Sequence, residues 1–287
     1  MTWERMSIDE YAAHKRNGGE RVVRIRGTWW LEARPFFFRP AFPMNRIDPG
    51  AACYPVKSLV GGVLHLVPEG VAGNSCMNMF LYDDLREYAL DLVDRKTRWS
   101  IRKGLEHFRA ARITDLKSFT EEAYPVYRSF YDRTRYFYKS ERTVKRYFDA
   151  WARTVFSNPK AMVLGAYRQK RLCAVDISYQ VEDVIIDDVF FSDTASQGLK
   201  VTDFMLHILR ETASSSDASF IFRGFPSGKE SLDRAKVARG CRIHRLPAHF
   251  RINPLALCLG KTVLNASYKK LEVLTSPAAQ ACERPGG

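Results

Sequence analysis

The sequence predicts an α/β chain built on a mixed sheet with helices along its flanks. Three observations carry this. Helix-period and strand-period segments in the second half follow the order α-α-β-β-β-α-β-α-β. Three of those strands are joined by turns short enough to require antiparallel pairing. One later helix bridges two strands, which makes that pair parallel inside an otherwise antiparallel sheet.

Residues 20–31 alternate in polarity and read as a strand, and Pro35, Pro40, Pro43, Pro49 and Pro55 mark 34–55 as loop with short extended pieces. Residues 56–67 and 75–81 read as further strands. From Asp84 the period turns helical, with Leu85, Tyr88, Ala89, Leu92 and Val93 on one face up to about Asp94. A basic helix over 97–108 follows. The spacing of Ser118 and Glu121 predicts a capping box opening the next helix, with Pro125 set to kink it or delay its start. A second helix starts near Ser140 and carries Val144, Tyr147, Phe148, Trp151, Ala152 and Val155 on its apolar face. The Tyr- and Phe-rich run 124–151 resembles a base-stacking surface, but its helical spacing reads as a core face.

Strands are expected over 161–167, 172–180 and 184–191, then a helix over 199–215 and a strand over 219–223. Ser227 and Glu230 have capping-box spacing for a helix ending at Gly240, where a left-handed cap suits glycine. A last strand covers 241–248, and the Pro/Ala/Gly-rich tail from about Thr275 is expected to be disordered.

Composition bounds the class. The chain has 287 residues, 46% of them hydrophobic and 13% aromatic, which excludes disordered and low-complexity classes. That length predicts one large or two small domains. No apolar run approaches the roughly 18 residues of a membrane span. The start, Met1-Thr2-Trp3-Glu4-Arg5-Met6, has no apolar signal core, so a soluble, cytoplasmic protein is expected. Cys53, Cys76, Cys173, Cys241, Cys258 and Cys282 form no CxxC and are read as free, mostly buried thiols. No HExxH or HxH occurs, so no metal site is expected.

Charge is the strongest compositional signal. There are 45 Lys and Arg against 32 Asp and Glu, a net +13. The excess gathers in residues 96–117, 128–171 and 223–251, which suits RNA, a phosphorylated cofactor or transient contact with a membrane surface. Solvated helix faces are the plain alternative.

The element order resembles the GNAT acyltransferase fold, in which two helices precede a meander and a βαβ unit splays open to admit an acyl carrier. The chain also resembles the Fem-type (FemAB-like) branch, which joins two GNAT-like halves in tandem. Three segments carry the likeness: Lys96 to Gly104 (KTRWSIRKG), Ser192 to Gly198 (SDTASQG), and Ser231 to Gly240 (SLDRAKVARG). On this resemblance residues 1–110 are an N-terminal GNAT-like half, 111–255 a C-terminal GNAT-like acyltransferase domain, and 256–287 a partly disordered extension. Ala235 stands where the family has Phe before its Lys, and no tRNA-binding helical arm is visible. The segment 192–200 has one glycine, where enzymes using acyl-CoA typically carry R/Q-x-x-G-x-G/A.

The resemblance implies an amide-forming enzyme with aminoacyl-tRNA as donor, no bound cofactor, and an amine acceptor on a peptidoglycan precursor or peptidyl small molecule. Two alternatives stay open: an N-acyltransferase using acetyl-CoA or another acyl-CoA, and a non-catalytic nucleic-acid-binding protein on the same fold. Acyl transfer needs an oxyanion stabiliser and a proton acceptor. Lys236 is the first candidate, as the Lys of the Fem-type helix. Asp187 and Asp188 are the next, because carboxylates between apolar strand residues are expensive unless paired or working; alternation puts one on each face. Asp176 is a weaker candidate of the same kind. Gln197, Gly198, Leu199 and Lys200 open a helix whose N-terminus suits a phosphate or carbonyl. Arg98, Arg102 and Lys103, with Arg234 and Arg239, are candidate phosphate ligands.

Overall fold

The computed structural model describes residues 2–134, 139–262 and 265–275. In chain order the elements are β1 (Arg5–Met6), α1 (Ile8–Asn17), β2 (Val22–Ile25), β3 (Thr28–Arg34), β4 (Phe37–Pro40), β5 (Gly62–Leu66), β6 (Ser75–Tyr82), α2 (Arg95–His107), β7 (Arg109–Arg112), α3 (Leu116–Thr134), α4 (Lys145–Phe156), β8 (Met162–Arg168), β9 (Arg171–Val181), β10 (Val184–Ser192), α5 (Val201–Ser214), β11 (Phe220–Phe222), α6 (Glu230–Val237), β12 (Arg242–Ile252), α7 (Pro254–Thr262) and α8 (Asn265–Thr275). Contacts divide them into two units, Met1–Met6 with Tyr82–Phe222, and Ser7–Leu81 with Arg223–Gly287. Neither division falls at 110 or 255, because strand pairing gathers 223–252 with residues 62–81.

In the first unit the strands run β7-β8-β9-β10-β11, antiparallel up to β10 and parallel between β10 and β11. Gln169 and Lys170 are both left-handed, φ 48° and 68°, the conformation that matches strand twist in a two-residue hairpin. One sheet face buries Met162, Leu164, Ala166 and Ala174 against Phe108 and against Val201, Phe204 and Met205 of α5. The other face meets aromatic side chains. Phe191 packs edge-on to Tyr127 of α3 at 5.3 Å and against Trp151 of α4 at 6.3 Å. Tyr127 and Phe148 of the run 124–151 are therefore core, as their spacing predicts, while Tyr147 is exposed and residues 135–138 lie outside the described residues.

Three expectations for this unit are corrected. Residues 84–94 form no α-helix but two 3₁₀ turns, Leu85–Glu87 and Leu90–Leu92. Side chains at both ends of this strap are committed to α5: Asp84 accepts two 2.7 Å bonds from Arg210, and Tyr88 Oη lies 2.8 Å from His207 Nδ1. Asp115, not Ser118, caps α3, accepting from Ser118 N–H at 2.6 Å and Ser118 Oγ at 2.7 Å. That helix starts at Leu116 and runs through Pro125, with Phe119, Ala123, Val126 and Tyr127 buried along one face.

The second unit orders its strands β2-β3-β4-β5-β12-β6, with β4 and β5 parallel and the other neighbours antiparallel. Residues 20–31 are a hairpin rather than one strand, because Arg26 (φ 43°) and Gly27 (φ 84°) reverse the chain. Val56–Leu59 is a 3₁₀ turn, so the strand expected over 56–67 starts only at Gly62. Helix α1 opens on a capping box between Ser7 and Glu10. The Ser227–Glu230 box does not form: Lys229 is the N-cap residue without a side-chain bond, and Ser227 N–H donates to both oxygens of Asp233 at 3.0 Å. Strand β12 runs on to Ile252, pairing Ala248–Ile252 with β5 after leaving β6. Residues 254–262 and 265–275 of the expected extension are helical. The expected disorder over 276–287, and Cys282, lie outside the described residues. The other five cysteines are free thiols.

Candidate functional site

In the first unit the site is assembled at the end of β10. Strands β10 and β11 pair only through Val184–Ile186 and Phe220–Phe222. From Asp187 to Ser192 β10 keeps its β9 neighbour and, among the described residues, has no strand on its β11 side. A β-bulge interrupts that remaining ladder: Asp187 faces Ser178, Val189 faces Ile177, and Asp188 is the extra residue. The bulge resets the alternation. Asp187 and Phe190 now share the α5 face with Asp176 and Ser178, whose Oγ donates to Asp176 Oδ1 at 3.0 Å. Val189 and Phe191 turn to the aromatic face. The expected placement of one carboxylate on each face is thus corrected: Asp187 is half-buried on the α5 face, and Asp188 is exposed on the bulge. Asp176 is buried in the core.

The loop after β10 is tightly cross-linked. Asp193 accepts from Ser196 N–H at 2.8 Å and pairs with Arg171 at 2.8 Å. Gln197 Nε2 donates to Ser192 Oγ at 2.5 Å, so its amide braces the loop. Gly198 has open space where a side chain would stand. Leu199 packs against the α5-face core. Lys200 is left-handed (φ 67°) and is the N-cap of α5 without a side-chain cap bond. The start of α5 carries the positive end of the helix dipole, the electrostatics of an anion or carbonyl site, with Val201 N–H donating back to Ser196 O at 3.4 Å and Asp203 in the first turn.

Helix α2 lies beside that end. Gly104 is where they meet: a Cβ there would come within 2.7 Å of Phe204 Cβ and 3.2 Å of Lys200 O. This closeness brings two cations to one ring, Lys103 Nζ 5.4 Å and Lys200 Nζ 5.6 Å from the Trp99 centroid. Trp99 is exposed and was not singled out from sequence, although its i,i+4 spacing to Lys103 was readable. Arg98 and Arg102 are drawn elsewhere, to Asp91 at 3.9 Å and 3.2 Å. Of the expected basic trio, the structure therefore sets only Lys103 beside Lys200.

Lys236 belongs to the second unit. It lies on α6, and Nζ donates to Arg223 O at 3.1 Å and sits 4.5 Å over the Phe80 ring. The aromatic partner of this Lys thus comes from β6. Burial, assisted by the Arg223 charge and opposed by Asp233, lowers its pKa to about 8. Arg234 pairs with Glu230, and Arg239 donates to Ala235 O at 3.0 Å, a helix-end contact. Among the described residues no three His, Cys, Asp or Glu side chains gather as a metal site, and no helix is long and apolar enough to cross a membrane.

No protein-family model and no curated sequence matches the chain. Solved structures do. The C-terminal domain of a putative lysylphosphatidylglycerol synthetase from Agrobacterium fabrum superposes with TM-score 0.56 at 10% identity, covering 96% of this chain and 94% of that one. FemX gives 0.55 at 9% identity, over 92% of this chain and 100% of its own. L-PGS from Bacillus licheniformis gives 0.53 at 10% identity, over 92% of each. The fold is GNAT-like, a mixed sheet flanked by helices.

Proposed function

We propose that the protein is an aminoacyltransferase that moves an aminoacyl group from aminoacyl-tRNA to an amine, forming an amide. The observation that carries this reading is the open edge of β10 ending at the uncapped α5, with Lys103 and Lys200 flanking the helix start. Such a site suits an activated ester and the phosphates of its carrier. The likeness to FemX and to the C-terminal domain of a putative lysylphosphatidylglycerol synthetase adds weight, the latter's name describing a product in which lysine is joined to a lipid. The net +13 suits an RNA carrier.

In this reading the acceptor nitrogen attacks the ester carbonyl, the new C–N bond forms, and the C–O bond to the tRNA ribose breaks. Lys200, at the start of α5, is the cation this site offers to the tetrahedral oxyanion, and Lys236 on the second unit is the candidate that the Fem-type resemblance implies for the same role. Asp188, exposed on the bulge, takes the proton from the attacking amine and hands it to the departing ribose oxygen, which leaves as a hydroxyl. A peptidoglycan precursor or a peptidyl small molecule would supply the amine.

Acyl-CoA is the second reading, favoured by the same helix terminus, which suits a pyrophosphate. Thermal-shift titration separates the two. Ligand at about 100 times its dissociation constant adds roughly 2.7 kcal/mol of stability. Charged tRNA is expected to stabilise the protein more than the same tRNA deacylated, and the gain should shrink in Lys103→Gln/Lys200→Gln. A dose-dependent shift with acetyl-CoA, and none with charged tRNA, would replace this reading with the second.

A further inference from the structure

Five large apolar side chains of the second unit are exposed on adjoining loops: Phe36 (42%), Val56 (79%), Leu59 (63%), Val60 (57%) and Leu255 (75%). Hydrogen bonds fasten the loops to one another. Gly62 N–H donates to Phe36 O at 3.1 Å, Asn253 N–H to Gly61 O at 2.8 Å, and Asn253 Nδ2 to Leu59 O at 2.9 Å. The β3–β4 turn, the 56–59 3₁₀ turn and the start of α7 therefore present one apolar surface. Exposed apolar side chains scattered singly need no explanation, whereas a contiguous group marks a surface that something covers.

Its border is cationic. Lys57 is exposed within the turn itself. Arg251, two residues before Asn253, lies 4.7 Å over the ring of Tyr54, which is two residues before Val56. Arg34, two residues before Phe36, stands near Lys229 and Lys270; burial and these two like charges lower the Lys270 pKa. Three carboxylates come close. Glu20 lines a cleft beside Val56 and Lys57 and pairs with Lys15 at 3.3 Å. Glu32 is turned inward, its side chain 5% exposed, and accepts from Phe36 N–H at 2.7 Å. Asp48 lies on the Tyr54 side.

We propose that this surface docks the protein onto an anionic lipid bilayer. The apolar side chains stand on two turns and at a helix start, and of the five only Val56 also lines that cleft, so the group suits a fluid interface that needs no shape complementarity. Short apolar tips reach the boundary of headgroups and acyl chains while Lys and Arg at their base meet anionic headgroups. The proposal rests on this surface alone and is independent of the acyl-transfer reading.

Vesicle co-sedimentation of the full chain tests it, with phosphatidylcholine alone and with an equal share of phosphatidylglycerol. The expected result is binding to the anionic vesicles, weakened by salt and reduced about tenfold or more in Leu59→Asp/Val60→Asp and in Lys57→Gln/Arg251→Gln. Val56→Ser, at the most exposed position, gives a milder variant whose thermal midpoint should match wild type while binding falls. Equal binding to both vesicle types, no binding, or binding unaffected by the apolar substitutions overturns the proposal. So does a concentration-dependent dimer in solution that Leu59→Asp/Val60→Asp abolishes, since a second copy would then be the occupant.

Discussion

The ammonium of Lys236 sits 4.5 Å over the face of Phe80 while donating to the Arg223 carbonyl, so a cation is held in a partly desolvated place by a ring and a peptide oxygen. The ring and the carbonyl favour the charged form; burial and Arg223 oppose it and prevail, giving a pKa of about 8.

This sets a pH signature. If the ammonium stabilises the oxyanion, kcat/KM should fall as pH rises through about 8. Lys236→Arg, charged above pH 12, should lose that limb, and Lys236→Met should lose about 10²–10³ in rate. Phe80→Leu should move the limb lower, since a ring contact of about 1 kcal/mol is worth somewhat under one pKa unit. Stability runs the other way. The folded pKa lies below the usual 10.5, so the unfolded chain binds the proton more tightly, and stability should rise with pH between about 8 and 10.5. A rate profile identical in wild type and Lys236→Arg would remove the role.

The two neighbouring aspartates should separate in their effects. Asp188 is exposed on the bulge, so Asp188→Asn should leave the thermal midpoint within about 0.5 kcal/mol of wild type while lowering turnover. Asp187 is half-buried beside Ser178 on the α5 face, and Asp187→Asn should cost about 1–3 kcal/mol of stability. Full turnover in Asp188→Asn, with the loss found in Asp187→Asn instead, would transfer the proton-acceptor role to Asp187.

The meeting of α2 and α5 at Gly104 is a packing prediction. A methyl group there would stand 2.7 Å from Phe204 Cβ, so Gly104→Ala must push the helices apart. The expected cost is about 1–3 kcal/mol, read by thermal or urea unfolding, with weaker donor binding as Lys103 and Lys200 separate. An unchanged midpoint would mean that the contact yields without strain. Asp84→Ala tests the strap separately: it strands the buried Arg210, which lies 4.4 Å over Tyr82 and 3.8 Å over Tyr88, at a cost of about 3–5 kcal/mol.

Much of the sheet was legible. The meander β8-β9-β10, helix α5 and the parallel β11 follow from period-2 runs, two-residue turns and one helical stretch, all signals within a few residues of the place they act. Ser7 and Glu10 also spelled out the box that opens α1, yet that helix was not anticipated. The strap over 84–94 had helical spacing and is not α-helical, since its side chains are committed to His207 and Arg210, more than a hundred residues away. Of the candidate residues, Lys236 is half-buried over Phe80 and Lys200 stands at the start of α5, while Arg98 and Arg102 pair with Asp91.

By itself the sequence determined the order of strands and helices from α3 to β12, the parallel pair and the positive charge, because propensity, period and net charge are local or additive properties. Only the tertiary structure decided that Asp188 bulges from β10, that Phe80 lies under Lys236, that Trp99 gathers Lys103 and Lys200, and that Phe36, Leu59 and Leu255 adjoin. Each is a meeting of side chains or strands remote along the chain. Its geometry is fixed by ladder register and core packing, which no window of sequence contains.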